Sequence, residues 1–181
     1  MNFQTFHASI VSEDLRAVAA HWQAARGVKR MPAWGDIDPI QLGRRLRFVW
    51  AWRYDRTSQL FTGRLAGDDI VHIFGKSPRG MPMAEFFPPE VYRIFHPWHL
   101  RVVQEPAFLR GRGRVYSDLG RNFDGERILM PLAEDGDHGD GILGVTFYQP
   151  MAYQSVAGSE TRKFSASDLD DDQAFFSLDE P

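Results

Sequence analysis

Apolar residues recur at two different periods along this chain. Between Ser12 and Gly27 they fall at Leu15, Val18, Ala19 and Trp22, the i, i+3, i+4, i+7 spacing of one helix face. Ser12 is placed to cap that helix, Glu13 and Asp14 sit at its positive end, and Gly27 ends it. The stripe is narrow, so the helix needs the domain, or a second copy of itself, to pack on. A linker from Met31 to Pro39 follows, and Asp38-Pro39 opens a short helical turn through Leu42. The period then changes to two. Leu46–Tyr54 reads as a first strand, Asp55–Gln59 as a turn and Leu60–Ala66 as a second strand, so the two make a hairpin.

Leu60 to Gly80 is the most informative stretch. Its strand ends at Gly67, Asp68 is placed to cap a short helix containing Ile70, Val71, Ile73 and Phe74, and Gly75 and Gly80 turn the chain. Met81–Phe87 has room for another single turn. Pro88-Pro89-Glu90 starts a longer helix with Val91, Ile94, Phe95, Trp98 and Val102 on one face, in which Pro97 predicts a kink or break. Three strands complete the pattern. Ala107–Ser117 alternates Arg110, Arg112 and Arg114 with Gly111 and Gly113. Arg127–Ala133 carries Ile128, Met130 and Leu132 on one face. Ile142–Tyr148 sets Leu143, Val145 and Phe147 opposite Ile142, Thr146 and Tyr148, and Pro150 ends it. Strand pairs separated by helices, with no parallel crossover, predict an α+β fold on an antiparallel sheet. The expected units are a helical extension over 1–27, a domain over 28–150 and an acidic tail over 151–181.

The chain has no cysteine, which removes disulfides, thiol nucleophiles and thiolate metal sites and suits a reducing cytoplasm, the expected location. Met1–Ile10 lacks the charged and apolar regions of a signal peptide. No apolar run approaches the roughly 18–20 residues of a membrane span. From Gly158 onward, seven acids face only Arg162 and Lys163, so the tail carries about −5 of a net charge of −3. Such a tail solvates itself or docks on a basic surface.

Several of these segments resemble the PAS superfamily, and more narrowly the stand-alone bacterial PAS group common in alphaproteobacteria. The matching residues are Met31-Pro32-Ala33-Trp34 with Asp36-Ile37-Asp38-Pro39, then Arg64-Leu65-Ala66-Gly67, Ile73-Phe74-Gly75 with Gly80, and Gly144 to Pro150. The resemblance spans about residues 28–150. It implies five antiparallel strands, with short helices and one longer helix on one face, here joined by an N-terminal helix. It further implies a sensory or regulatory protein that binds a small molecule, a protein partner, or both, in bacterial signalling. No kinase, cyclase or DNA-binding effector accompanies the domain, so it is expected to act by contact with others. A homodimer through the N-terminal helix face around Trp22 is expected. The alternatives are a ligand-free interaction adaptor and a small α+β enzyme acting on an apolar substrate through an acid–base pair such as Asp69 and His72.

The ligand pocket that such a fold implies is expected at Trp50, Trp52, Phe61, Asp69, His72, Phe74, Trp98, Met130 and Phe147; the same aromatics equally suit a closed core. Neither the ligand nor any cofactor is legible. In haem-binding PAS proteins a histidine on the long helix holds the iron, and by resemblance His96 or His99 takes that place; the other reading is an ordinary histidine beside Pro97. Zinc lacks a third ligand at any recognisable spacing. Gly111-Arg112-Gly113 lacks the third glycine of a dinucleotide loop. Asp135, Asp137 and Asp140 lack the spacing of a calcium loop and read as a hairpin tip. Arg110, Arg112 and Arg114, with Arg93, Arg101 and Arg121, read as a wet basic face that suits an acidic partner or the chain's own tail. Nucleic acid is not expected, because no recognised binding motif accompanies them. No nucleophile elbow or paired catalytic carboxylates are present, and no enzymatic activity is expected.

Overall fold

The computed structural model describes residues 2–115, 123–150 and 172–179. Its centre is one antiparallel sheet in the order β2-β1-β5-β4-β3-β6. The strands are β1 (Val49–Asp55), β2 (Leu60–Ala66), β3 (Ala107–Val115), β4 (Phe123–Leu132), β5 (Gly141–Pro150) and β6 (Asp172–Ser177). Helices cover both faces. α1 (Asn2–Ser9) and α2 (Glu13–Arg26) pack on one side; α4 (Asp68–Phe74), α5 (Met83–Phe86) and α6 (Pro89–Gln104) pack on the other, and α3 (Pro39–Leu42) is a single turn in the linker. The architecture is the expected α+β one, with a sheet one strand wider than the resemblance implied. Among the described residues no helix is long and apolar enough to cross a membrane.

Two cores follow from the alternation of the strands. Trp50, Trp52, Leu129 and Ile142 face α4–α6, while Val49, Ile128, Met130, Leu143 and Val145 face α1 and α2. Because both faces are covered, the central strands are apolar on both sides.

The α2 stripe behaves as its spacing predicts. Ser12 accepts the backbone N–H of Leu15, and Leu15, Val18, Ala19 and Trp22 are fully buried against the sheet. That face is filled within one chain and is not exposed to a second copy. Within the expected helical extension, α1 is a second helix ahead of α2. It places Phe6 flat on Phe108 of β3, with ring centroids 4.5 Å apart.

Three local expectations change. The first strand begins at Val49 rather than Leu46: residues 43–48 form a 3-10 turn, and β2 ends at Ala66 against Trp50. α6 runs through Pro97 without a break, since Arg93 and Pro97 lie on its exposed side and water can meet the carbonyl left without a donor. Asp68 does not cap α4; Gly67 occupies that position, and no side chain caps it. Gly67 is required there by space. A Cβ would sit 2.0 Å from the Leu46 carbonyl oxygen, while the Gly67 N–H donates to Val49 O at 2.7 Å.

The basic strand also differs from its expected role. Arg110 is 7% exposed, because α1 and α2 cover the face that was expected to be wet. Arg110 and Arg112 share the α2 side, whereas Arg93 and Arg101 lie on α6 across the sheet, so the arginines do not form one patch. Arg121 lies outside the described residues. The hairpin tip between β4 and β5 is closed by Asp135, which accepts the backbone N–H groups of Asp137 and His138; those bonds hold its carboxyl well below the usual carboxylate range.

Candidate functional site

The sheet face under α4–α6 carries a small cavity of about 40 Å³. Its floor is Trp50 and Trp52 of β1, Arg127 and Leu129 of β4 and Thr146 of β5. Its roof is Ile70 and Phe74 of α4, Phe86, the neighbouring Phe87, and Phe95, Trp98 and His99 of α6. Gly144 makes the floor flat: a Cβ there would lie 2.3 Å from the Trp50 ring, so only glycine lets the indole lie across β5. That placement lets Trp50 Nε1 donate to Thr146 Oγ1 at 2.9 Å.

The polar groups in this apolar shell are few and specific. Thr146 Oγ1 also accepts from Arg127 Nε at 3.2 Å, so its own hydroxyl proton remains to be donated. The Arg127 guanidinium lies 5.1 Å from the centroid of the Phe95 ring, a cation–π distance. His99 is 4% exposed, and its Nδ1 lies 2.7 Å from the Phe95 carbonyl oxygen. A carbonyl only accepts, so Nδ1 carries the proton and Nε2 presents a lone pair. That Nε2 is buried without a hydrogen-bond partner.

Burial pushes the His99 pKa down to about 3; the bond to Phe95 opposes this, and the charge of Arg127 adds to it. The imidazole is therefore neutral at physiological pH. A histidine that protonates more readily unfolded than folded weakens the fold as pH drops. The loss begins near the ordinary value of about 6.5 and continues toward pH 3, at about 1.4 kcal/mol per pH unit. Urea unfolding at pH 7 and pH 5.5 is expected to show wild type losing about 1.4 kcal/mol more than His99→Phe between the two pH values. Equal losses in the two proteins would contradict a buried neutral His99.

The expected pocket residues divide into four groups. Trp50, Trp52, Phe74 and Trp98 line the cavity. Phe61 belongs to the same core but packs beside it, against Tyr54 and His99. Met130 and Phe147 lie on the opposite face with α1 and α2, because each is one residue out of step with Leu129 and Thr146. Asp69 and His72 lie on the outer side of α4. The Asp69 carboxylate accepts from Arg47 Nη2 at 2.7 Å, and His72 is exposed. The acid–base pair proposed for an enzyme is not assembled. The expected pocket omits the cavity's polar residues Arg127, His99 and Thr146, along with apolar lining such as Phe86, Phe95 and Leu129.

Neither histidine on α6 stands beside a space the size of a haem. A cavity of about 40 Å³ has no room for a macrocycle, when even drug-sized ligands occupy roughly 300–1,000 Å³. His96 is half-buried and packs tilted against Tyr92, with centroids 4.8 Å apart. Among the described residues no group of three or more metal-ligating side chains comes together.

A family model described as a PAS domain matches residues 10–147. Comparison with curated proteins and with solved structures found no match.

Proposed function

The chain belongs to the PAS domain family, a class of sensory and regulatory modules, and from that premise we propose that it senses a small molecule at the His99 cavity and passes the change to a protein partner. One observation carries this reading: His99, a lining residue of the mostly apolar cavity, holds a buried Nε2 lone pair with no hydrogen-bond partner. Buried polar atoms are nearly always satisfied, so an unpaired acceptor on a cavity residue suits a ligand that supplies a donor. The matching molecule is small and mostly apolar, with one hydroxyl or N–H. Its own oxygen or nitrogen would accept the Thr146 hydroxyl proton.

The cavity is smaller than such a ligand, so binding would displace a wall. Trp98 and Phe74 are the half-buried side chains of the roof, and they stand on α6 and α4. Ligand entry would thus move two helices against the sheet, which supplies two states for a partner to distinguish. A ligand-free adaptor is the second reading, favoured by how little of the core is empty.

Phenol and toluene are probes of nearly equal shape that differ in one donor. By NMR titration, phenol is expected to bind about tenfold more tightly than toluene, the worth of one good hydrogen bond. His99→Phe should erase that difference. Equal affinities in wild type would overturn the role of His99, and binding of neither at millimolar concentration would favour the adaptor.

A further inference from the structure

The sixth strand is seated on the sheet in the manner of a bound peptide. β6 pairs antiparallel with β3, from Ala107 opposite Ser177 to Arg112 opposite Asp172. Residues 151–171 separate it from β5 in sequence. Its anchors are charges at the two ends and aromatic contacts between them. Asp172 accepts from Arg110 Nη1, and Asp179 pairs with Arg30. Between them, Phe176 packs on Phe6 with centroids 5.6 Å apart, and the Arg101 guanidinium lies 4.2 Å from the centroid of the Phe175 ring. The two acids are seven residues apart and bracket two adjacent aromatics.

The hold is light for a strand of the central sheet. Residues 173–178 are only half-buried, and both acids that pin the segment are exposed, whereas β4 from Arg110's partner Glu126 to Leu132 is buried throughout. Exposed ion pairs hold weakly, and an edge strand gains its affinity from backbone hydrogen bonds that any extended segment can supply. The receiving surface is built independently of β6: Arg110 is also paired with Glu126, and Phe6 stacks on Phe108.

We propose that the outer edge of β3, with Arg110, Arg30, Arg101 and Phe6, is a docking groove for an extended segment of a partner protein that carries two acids bracketing paired aromatics. Residues 172–179 fill the groove in cis and compete with that partner. The groove lies apart from the His99 cavity and needs no ligand there.

The test uses the full-length protein and a labelled peptide of residues 170–181. In the F175A/F176A double variant the cis segment is weakened, and the peptide is expected to bind about tenfold more tightly than to wild type. A peptide with Asp172 and Asp179 both replaced by asparagine should bind about tenfold more weakly than the native peptide, and salt should narrow that gap. Hydrogen exchange on wild type should show β6 amides opening well before those of β4. Peptide binding to neither protein, or β6 amides as protected as those of β4, would make β6 a fixed strand and overturn the proposal. A wild-type dimer by light scattering that falls apart on adding peptide would assign the groove to a second copy's strand and overturn the partner segment.

Discussion

Replacing Glu126 by alanine should destabilise the protein by about 3–5 kcal/mol, the usual cost of removing one member of a buried ion pair. Glu126 is 5% exposed and stands at a crossing of three elements. Its carboxylate accepts Arg110 Nε at 3.2 Å, the Val11 N–H at 2.9 Å and the Ser12 N–H at 2.7 Å. Alanine would leave the Arg110 guanidinium with only Asp172, and would leave the start of α2 without the acceptor that satisfies its leading N–H groups. Pairing the change with Arg110→Met should recover part of the loss, because the stranded charge is then gone. Urea unfolding of the two single variants and the double variant measures the coupling. A loss below about 1 kcal/mol for Glu126→Ala would contradict the burial and bonding assigned to this carboxylate.

The second large effect concerns Trp22. Its ring is fully buried, meets Phe108 edge-on at 4.9 Å and lies parallel to Phe3 at 6.4 Å. Its Nε1 donates to the Pro131 carbonyl at 2.8 Å. Trp22→Ala should cost about 3–5 kcal/mol through the cavity it leaves, and the orphaned Pro131 oxygen adds to that. Val28, exposed just beyond the helix, should change stability by less than about 0.5 kcal/mol when made alanine. The loss should appear in one cooperative transition, because α2 and the sheet share a core. Separate melting of residues 1–27, with the sheet undisturbed, would contradict that.

Much of the local structure was legible because its causes are local. Ser12, Glu13 and Asp14 mark the start of α2, Asp38-Pro39 opens α3, and the run Leu60–Ala66 stands as β2. β6 was hidden because its pairing partners are far away in sequence, from Arg112 opposite Asp172 to Ala107 opposite Ser177, and its acids read as a solvated tail. The charge pattern carries part of the answer, since the basic strand suits an acidic tail, and Arg110 and Asp172 realise that match. The cavity was half legible for a different reason. Alternation shows that Leu129 and Met130 face opposite ways, but both faces of the sheet are covered, so it does not reveal which one carries the space. The usable signal was polar: Arg127 and Thr146 are hydrogen-bonding residues next to apolar runs, both on the Leu129 side. His99 was visible as a histidine on the long helix, but its solitude is a property of packing that no spacing encodes.

The reading of the chain as a sensor turns on the state of one ring nitrogen. A long-range proton–nitrogen spectrum of the histidine rings in full-length protein measures it, recorded from pH 7.5 to pH 5 and then with phenol or toluene added. The expected result is a neutral His99 with its proton on Nδ1, unchanged over that pH range, whose Nε2 signal moves with phenol and not with toluene. A His99 ring that protonates in that range, or an Nε2 signal that phenol leaves in place, would contradict the account.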